Sequence, residues 1–281
     1  FVGYGLYYCG INAREVGELI KTYHLVQTPS ALIQALLLFT VALVALRGLA
    51  PLLHLSSLCF WPIVAGLVLI LLLCLPQYHA ANLAPFWGYG FSSTLTAGLF
   101  RASAYGDIVM LLVLAPYLKT PKTLSKTGVT AILFGGGLIA LTCLCYTLAM
   151  PYTISGYFLS PVLEMAKRVY FSRFFQRIDA IFLFVFILSS VINLAAYFYF
   201  CQHIFCKAFA IPRWRLTTFP FYAVVSALST WPENLTQLLT FHLVLVRQYS
   251  FPLTFLLPGA LLLLALWKQK KGGALSCCEK S

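Results

Sequence analysis

Acidic residues are scarce in this chain: seven among 281, against 19 lysines and arginines, with charged residues of all kinds making up only 9%. Soluble domains carry roughly a quarter charged residues, so a soluble globular domain is excluded. A disordered tail is excluded as well, because 61% of the residues are hydrophobic and the mean hydropathy is +0.88. Signatures of catalysis are missing too. No HExxH, GxSxG or Walker loop occurs, and His24, His54, His79, His203 and His242 are scattered near the ends of apolar runs. The sequence therefore predicts no enzyme, no cofactor and no metal. The nine cysteines imply no disulfide framework, since most lie in or beside apolar runs, where cysteine acts as a small hydrophobe. Cys143 and Cys145 are two apart, on nearly opposite helix faces, and cannot share a metal. The acylation of Cys277 and Cys278 stays open beside a plain reduced tail.

What is abundant is apolar sequence in long runs. About 20 helical residues cross about 30 Å of hydrocarbon, and on that scale helices are expected near 1–25, 30–47, 56–75, 97–117, 128–150, 178–201, 216–232 and 249–267. Breakers fall at or near their ends: Pro29, Pro76, Pro121, Pro151, Pro212 and Pro232. The expected fold is an all-α integral membrane bundle of about eight spans, forming a single domain over 1–281. The net charge of +12 lies in short segments between these runs, so it reads as topology rather than nucleic-acid binding. Arg47, Lys119, Lys122, Lys126, Lys207, Arg213, Arg215, Lys268, Lys270, Lys271 and Lys280 share one side, which their excess assigns to the cytoplasm. Lys21, Lys167, Arg168, Arg173, Arg177 and Arg247 share the other. On that outer side, residues 161–170 read as a short helix lying at the interface.

An ionisable group inside a bilayer is costly unless it faces protein or water, so it marks a candidate site. On the first segment Arg14, Glu15, Glu18 and Lys21 occupy an arc of about 120°, opposite Cys9, Ala13, Val16, Leu19 and Ile20. This predicts a lipid face on the apolar side and an inner face on the charged side, with Arg14 and Glu18 spaced to pair. Such a pair either locks two helices or lines a solute or ion cavity, and the residues leave both open. In the fourth segment Ser103, Ala104, Tyr105 and Gly106 lie between Arg101 and Asp107. Small residues flanked by charges are expected where a membrane helix unwinds around a solute, although they also serve close helix packing. Gly135, Gly136 and Gly137 have no charged neighbour and are expected to pack. In the sixth segment Asp179, Ser190, Asn193 and Tyr197 fall within about 40° of one line, an inward stripe. Asp179 lies near the outer interface, where it caps the helix or pairs with Arg177.

Several of these runs resemble one family. Arg14-Glu15-Val16-Gly17-Glu18-Leu19-Ile20-Lys21-Thr22 followed by Thr28-Pro29 resembles the third helix of the spore germination permeases, the B subunits of nutrient germinant receptors. The likeness continues in Tyr105-Gly106-Asp107, in Pro116 through Pro121-Lys122, in Pro161–Glu164, in Phe174 through Ala180 and in Trp231-Pro232-Glu233-Asn234. Relatives often carry Gly-x-Glu where this chain has Gly106 followed directly by Asp107.

The resemblance implies the inverted-repeat fold of amino-acid permeases, ten helices with the first and sixth broken around the solute. It makes 97–117 the broken sixth helix and the chain, which begins at Phe1 inside an apolar segment, a fragment lacking two helices. It implies a sensor in the bacterial cell membrane or spore inner membrane that binds a small nutrient, such as an amino acid, and works with A and C subunits. Solute contacts would come from Ser103, Ala104, Tyr105, Gly106, Asn193 and Tyr197. Charge or an ion would be held by Arg14, Glu15, Glu18, Arg101 and Asp107. A cation-coupled amino-acid transporter is the alternative on the same fold, and a structural subunit with a degenerate pocket is a third.

Overall fold

The computed structural model describes residues 2–84, 90–102, 105–106, 110–117, 121–151, 160–168, 178–212 and 214–231, with positions 259, 260, 263 and 267. Among them the chain is all-helical. The helices are α1 (Val2–Tyr23), α2 (Ser30–Leu46), α3 (Leu49–Leu73), α4 (Phe91–Arg101), α5 (Leu111–Leu114), α6 (Pro121–Ala149), α7 (Pro161–Arg168), α8 (Ile178–Ala208) and α9 (Thr218–Thr230). The chain divides into two compact units, one of Phe1–Phe86 with Leu133–Leu238 and one of Trp87–Ile132 with Leu239–Ser281.

The boundaries follow from local chemistry. Pro29 has φ −58° and ψ 133° immediately before α2, an extended geometry that starts the helix cleanly. Gly48 separates α2 from α3 at φ +91°, a conformation that a side chain would strain. Pro121 and Pro161 open α6 and α7 at the first helical position, where a missing N–H costs nothing. Three helices contain stretches long and apolar enough to cross a membrane: Leu49–Leu73, Lys122–Ala149 and Phe182–Ala208. This is a membrane protein.

Four expected spans change, the first being 178–201, whose helix continues to Ala208. The helix expected at 56–75 begins at Leu49, because Ser56 satisfies its hydroxyl by donating to Leu53 O at 2.8 Å instead of interrupting the helix. The one expected at 128–150 begins at Pro121, and its early Lys122 and Lys126 are exposed, as long basic side chains at a span's end can be. The segment 97–117 is not one α-helix: α4 ends at Arg101, Tyr105 and Gly106 are 3₁₀, and the α-helix resumes at Leu111. The expected helix 249–267 lies outside the described residues apart from helical positions 259, 260, 263 and 267.

In the first unit α8 is the central element, packed on α1, α2, α3 and α7, while α9 packs on α1 and α2. Glycine sets the close approaches. A Cβ on Gly10 of α1 would lie 2.7 Å from Leu228 Cβ of α9, and one on Gly66 of α3 would lie 2.5 Å from Val185 Cγ2 of α8. The triplet expected to pack does not do so at its ends: among the described residues nothing lies within 4 Å of a Cβ on Gly135 or Gly137. Those positions are on α6, whose apolar side chains there are exposed.

The amphipathic α7 closes one end of this unit. Its Leu163, Met165 and Ala166 are buried against Leu19 of α1, Ile70 and Leu71 of α3, Cys145 and Ala149 of α6, and Phe182 of α8. Lys167 holds its ammonium 4.1 Å above the Tyr23 ring. Beside this cap Tyr78 donates to Leu71 O at 2.7 Å. Burial first, and then the neighbouring Cys145 thiol, push its phenol well above the usual tyrosine range, so it stays protonated and can donate.

Candidate functional site

The charged arc of α1 forms one ion pair, with Arg14 Nη2 at 2.9 Å from Glu18 Oε1 and side chains 12% and 13% exposed. The pair spans one helical turn and is largely shielded from solvent. Glu15, on the same arc, is half-buried and also engaged. The opposite arc corrects the sequence reading. Cys9, Ala13, Val16, Leu19 and Ile20 are all 5% exposed or less, so they are protein core and not a lipid face. The physical reason is that lipid gives apolar side chains no incentive to leave it for protein. Small residues that let helices approach closely are therefore drawn inside instead.

A second stripe of α1 meets α8. The Tyr8 and Tyr197 rings lie 4.4 Å apart at 36°, and Cys9 Sγ donates to Leu194 O at 4.0 Å. Asn12 Nδ2 donates to Tyr8 O at 2.9 Å, which fixes the amide on this stripe. On α8 Tyr197 is buried and Asn193 half-buried, while Ser190 donates back to Phe186 O at 2.7 Å. The first unit thus joins Tyr8 and Tyr197 across one helix–helix seam, with Asn12 bonded back to Tyr8 one turn along α1 and Asn193 one turn from Tyr197 on α8. The Arg14–Glu18 pair lies on the same α1.

Sequence reasoning overlooked Tyr8 and Asn12. The signal was present, because Tyr4, Tyr8, Asn12 and Glu15 recur at steps of four, four and three along one side of a helix. It also overlooked Gln34. That side chain is 2% exposed, both its polar atoms lack a hydrogen bond among the described residues, and it presses on Gly17, whose Cβ would stand 2.8 Å from Gln34 Cγ. One amide in the apolar run of α2 gave no pattern that could single it out.

The remaining expected residues belong to the second unit. Tyr105 and Gly106 are half-buried and 3₁₀, and Arg101 is the last residue of α4. Ser103, Ala104 and Asp107 lie outside the described residues. Among the described residues no group of three His, Cys, Asp or Glu side chains could hold a metal ion.

A partly shielded ion pair on a helix with a polar seam to its neighbour suits the recognition of a small polar solute. A family model described as spore germination protein matches residues 1–238. The chain belongs to this family. It is also similar to spore germination protein KB of Bacillus subtilis (strain 168), with 26% identity over 95% of this chain and 74% of that protein. No solved structure matches. The family likeness read from Arg14–Thr22 and the later runs thus agrees with the whole-chain comparison.

Proposed function

We propose that this protein is the germinant-sensing membrane subunit of a spore nutrient receptor. It binds a small nutrient, an amino acid in the first instance, and its response starts germination. Membership of the spore germination family supports this reading. The observation that carries it is the shielded Arg14–Glu18 pair at 2.9 Å, on a helix whose other side is packed into the bundle. A charge pair held there contributes little net stability over apolar packing, so a role in recognition accounts for it better than a role in folding.

In this reading Tyr8, Asn12, Asn193 and Tyr197 contact the solute, and Arg14, Glu15 and Glu18 set the charge around its ammonium and carboxylate groups. Ser103, Ala104, Tyr105, Gly106, Arg101 and Asp107 enter through the family resemblance. The protein crosses the spore inner membrane several times and works with A and C receptor subunits. Sensing is a population shift: the solute binds one helix arrangement more tightly than another, and the difference in affinity is the signal.

The test uses the protein in sealed proteoliposomes with labelled amino acids, reading both saturable binding and time-dependent accumulation. Saturable binding without accumulation is the expected result. Accumulation driven by an imposed proton or sodium gradient makes the protein a cation-coupled transporter and overturns the proposal.

A further inference from the structure

The turn between α8 and α9 is built more firmly than a connection requires. Ile211 N–H donates to Cys206 O at 2.9 Å, and Ala210 is held at φ +51°, a left-handed conformation rare for a residue with a side chain. Gln202, fully buried on α8, reaches across to the returning strand of chain. Its Nε2 lies 2.7 Å from Trp214 O, 2.9 Å from Thr217 Oγ1 and 2.8 Å from Thr218 Oγ1. Two N–H donors against three acceptors keep the contact in place whichever pair is engaged. Thr217 Oγ1 also lies 3.5 Å from Cys206 Sγ, so the last turn of α8 and the first of α9 are fixed together.

This rigid elbow carries two kinds of exposed side chain within thirteen residues of sequence, 207–219. Lys207 and Arg215 are exposed, and among the described residues neither has an ion-pair partner. Arg215 holds its guanidinium 5.7 Å from the Trp214 ring. Phe209, Leu216 and Phe219 stand 67%, 69% and 79% exposed. Water does not favour bare apolar side chains of that size, and hydrocarbon does not favour the two cations. The elbow ends a helix that contains the membrane-crossing stretch Phe182–Ala208, which puts it at the level where headgroups meet acyl chains.

We propose that the α8–α9 elbow is a binding site for the headgroup of an anionic phospholipid. Lys207 and Arg215 contact the phosphate, and Phe209, Leu216 and Phe219 lie among the acyl chains. Charge complementarity selects an anion, and the adjoining apolar side chains select a lipid over a free phosphate ion. The site is independent of the solute reading, since it uses none of the residues assigned to recognition.

The test is native mass spectrometry of the intact protein in detergent, with phosphatidylglycerol and phosphatidylcholine supplied in equal amounts. Phosphatidylglycerol is expected to be retained in preference. Lys207→Gln with Arg215→Gln should cut its retention roughly twenty-five-fold, from about fivefold per basic residue at a membrane surface. Lys122→Gln with Lys126→Gln, which removes two exposed lysines outside the elbow, should change it less than the elbow variant does. Phe219→Ser should weaken retention with both charges intact. Equal retention of the two lipids, or an elbow variant no different from the α6 variant, overturns the proposal. Displacement of the lipid by inorganic phosphate, with no effect of Phe219→Ser, would mark a free-anion site and overturn it equally.

Discussion

α1 and α6 are both long helices of one membrane protein, and they are buried in opposite senses. α1 carries Arg14, Glu15, Glu18 and Lys21, yet its Cys9, Ala13, Val16, Leu19 and Ile20 are core. α6 carries no charge after Lys126, yet Leu133 is 71% exposed and Ile139, Leu141 and Leu144 are exposed with it. In water the more polar helix would lie outside. In a membrane the apolar helix can face lipid at no cost, and the polar one is kept within protein, where its charges find partners.

The largest expected effect tests close packing on the buried helix. Gly10→Leu drives a side chain into Leu228 and Val225 of α9, and should destabilise the protein by about 3 kcal/mol in thermal unfolding. Gly135→Leu on α6 meets open space, and should stay within about 0.5 kcal/mol. Equal effects at the two sites would erase the contrast between the helices.

That contrast was only partly legible in the sequence. Pro29, Gly48, Pro121 and Pro161 mark where helices begin, because their backbone limits act locally. The break after Arg101 was foreseeable from the small residues that follow it, and α7 from its amphipathic pattern. The first turns of α6 were missed because Lys122 and Lys126 resemble a loop, although a lysine at a membrane boundary can leave its helix for the headgroups. Which side of α1 is core could not be read from hydrophobicity, since lipid and protein interior are equally apolar. It could have been read from residue size: Gly10, Ala13 and Gly17 share the packed side of the helix. Gln34 had no local signal at all, because its burial depends on where α1 places Gly17.

A second, smaller effect concerns the ion pair. Glu18→Ala leaves Arg14 without its carboxylate in a shielded position, and should lower stability by about 2 kcal/mol. Replacing both, Arg14→Met with Glu18→Leu, should recover most of that loss while abolishing the solute response. Recovery of stability and response together would make the pair a structural lock.

The smallest effect sharpens the seam between α1 and α8. A double-mutant cycle of Tyr8→Ala and Tyr197→Ala should show a coupling of about 1 kcal/mol, from the ring contact at 4.4 Å. The same cycle between Tyr8 and Leu133 of α6 should show none, because residues without shared contacts add independently.

The most direct test of the account is the germinant dose response of spores whose receptor carries Glu18→Gln, with receptor abundance measured in the same spores. The substitution keeps the size of the side chain and removes its charge on the shielded arc of α1. The account predicts normal abundance with the half-maximal germinant concentration raised about tenfold, the loss of one charge-assisted contact to the solute. Normal abundance with an unchanged dose response would contradict it, and would leave the charged arc of α1 outside the sensing site.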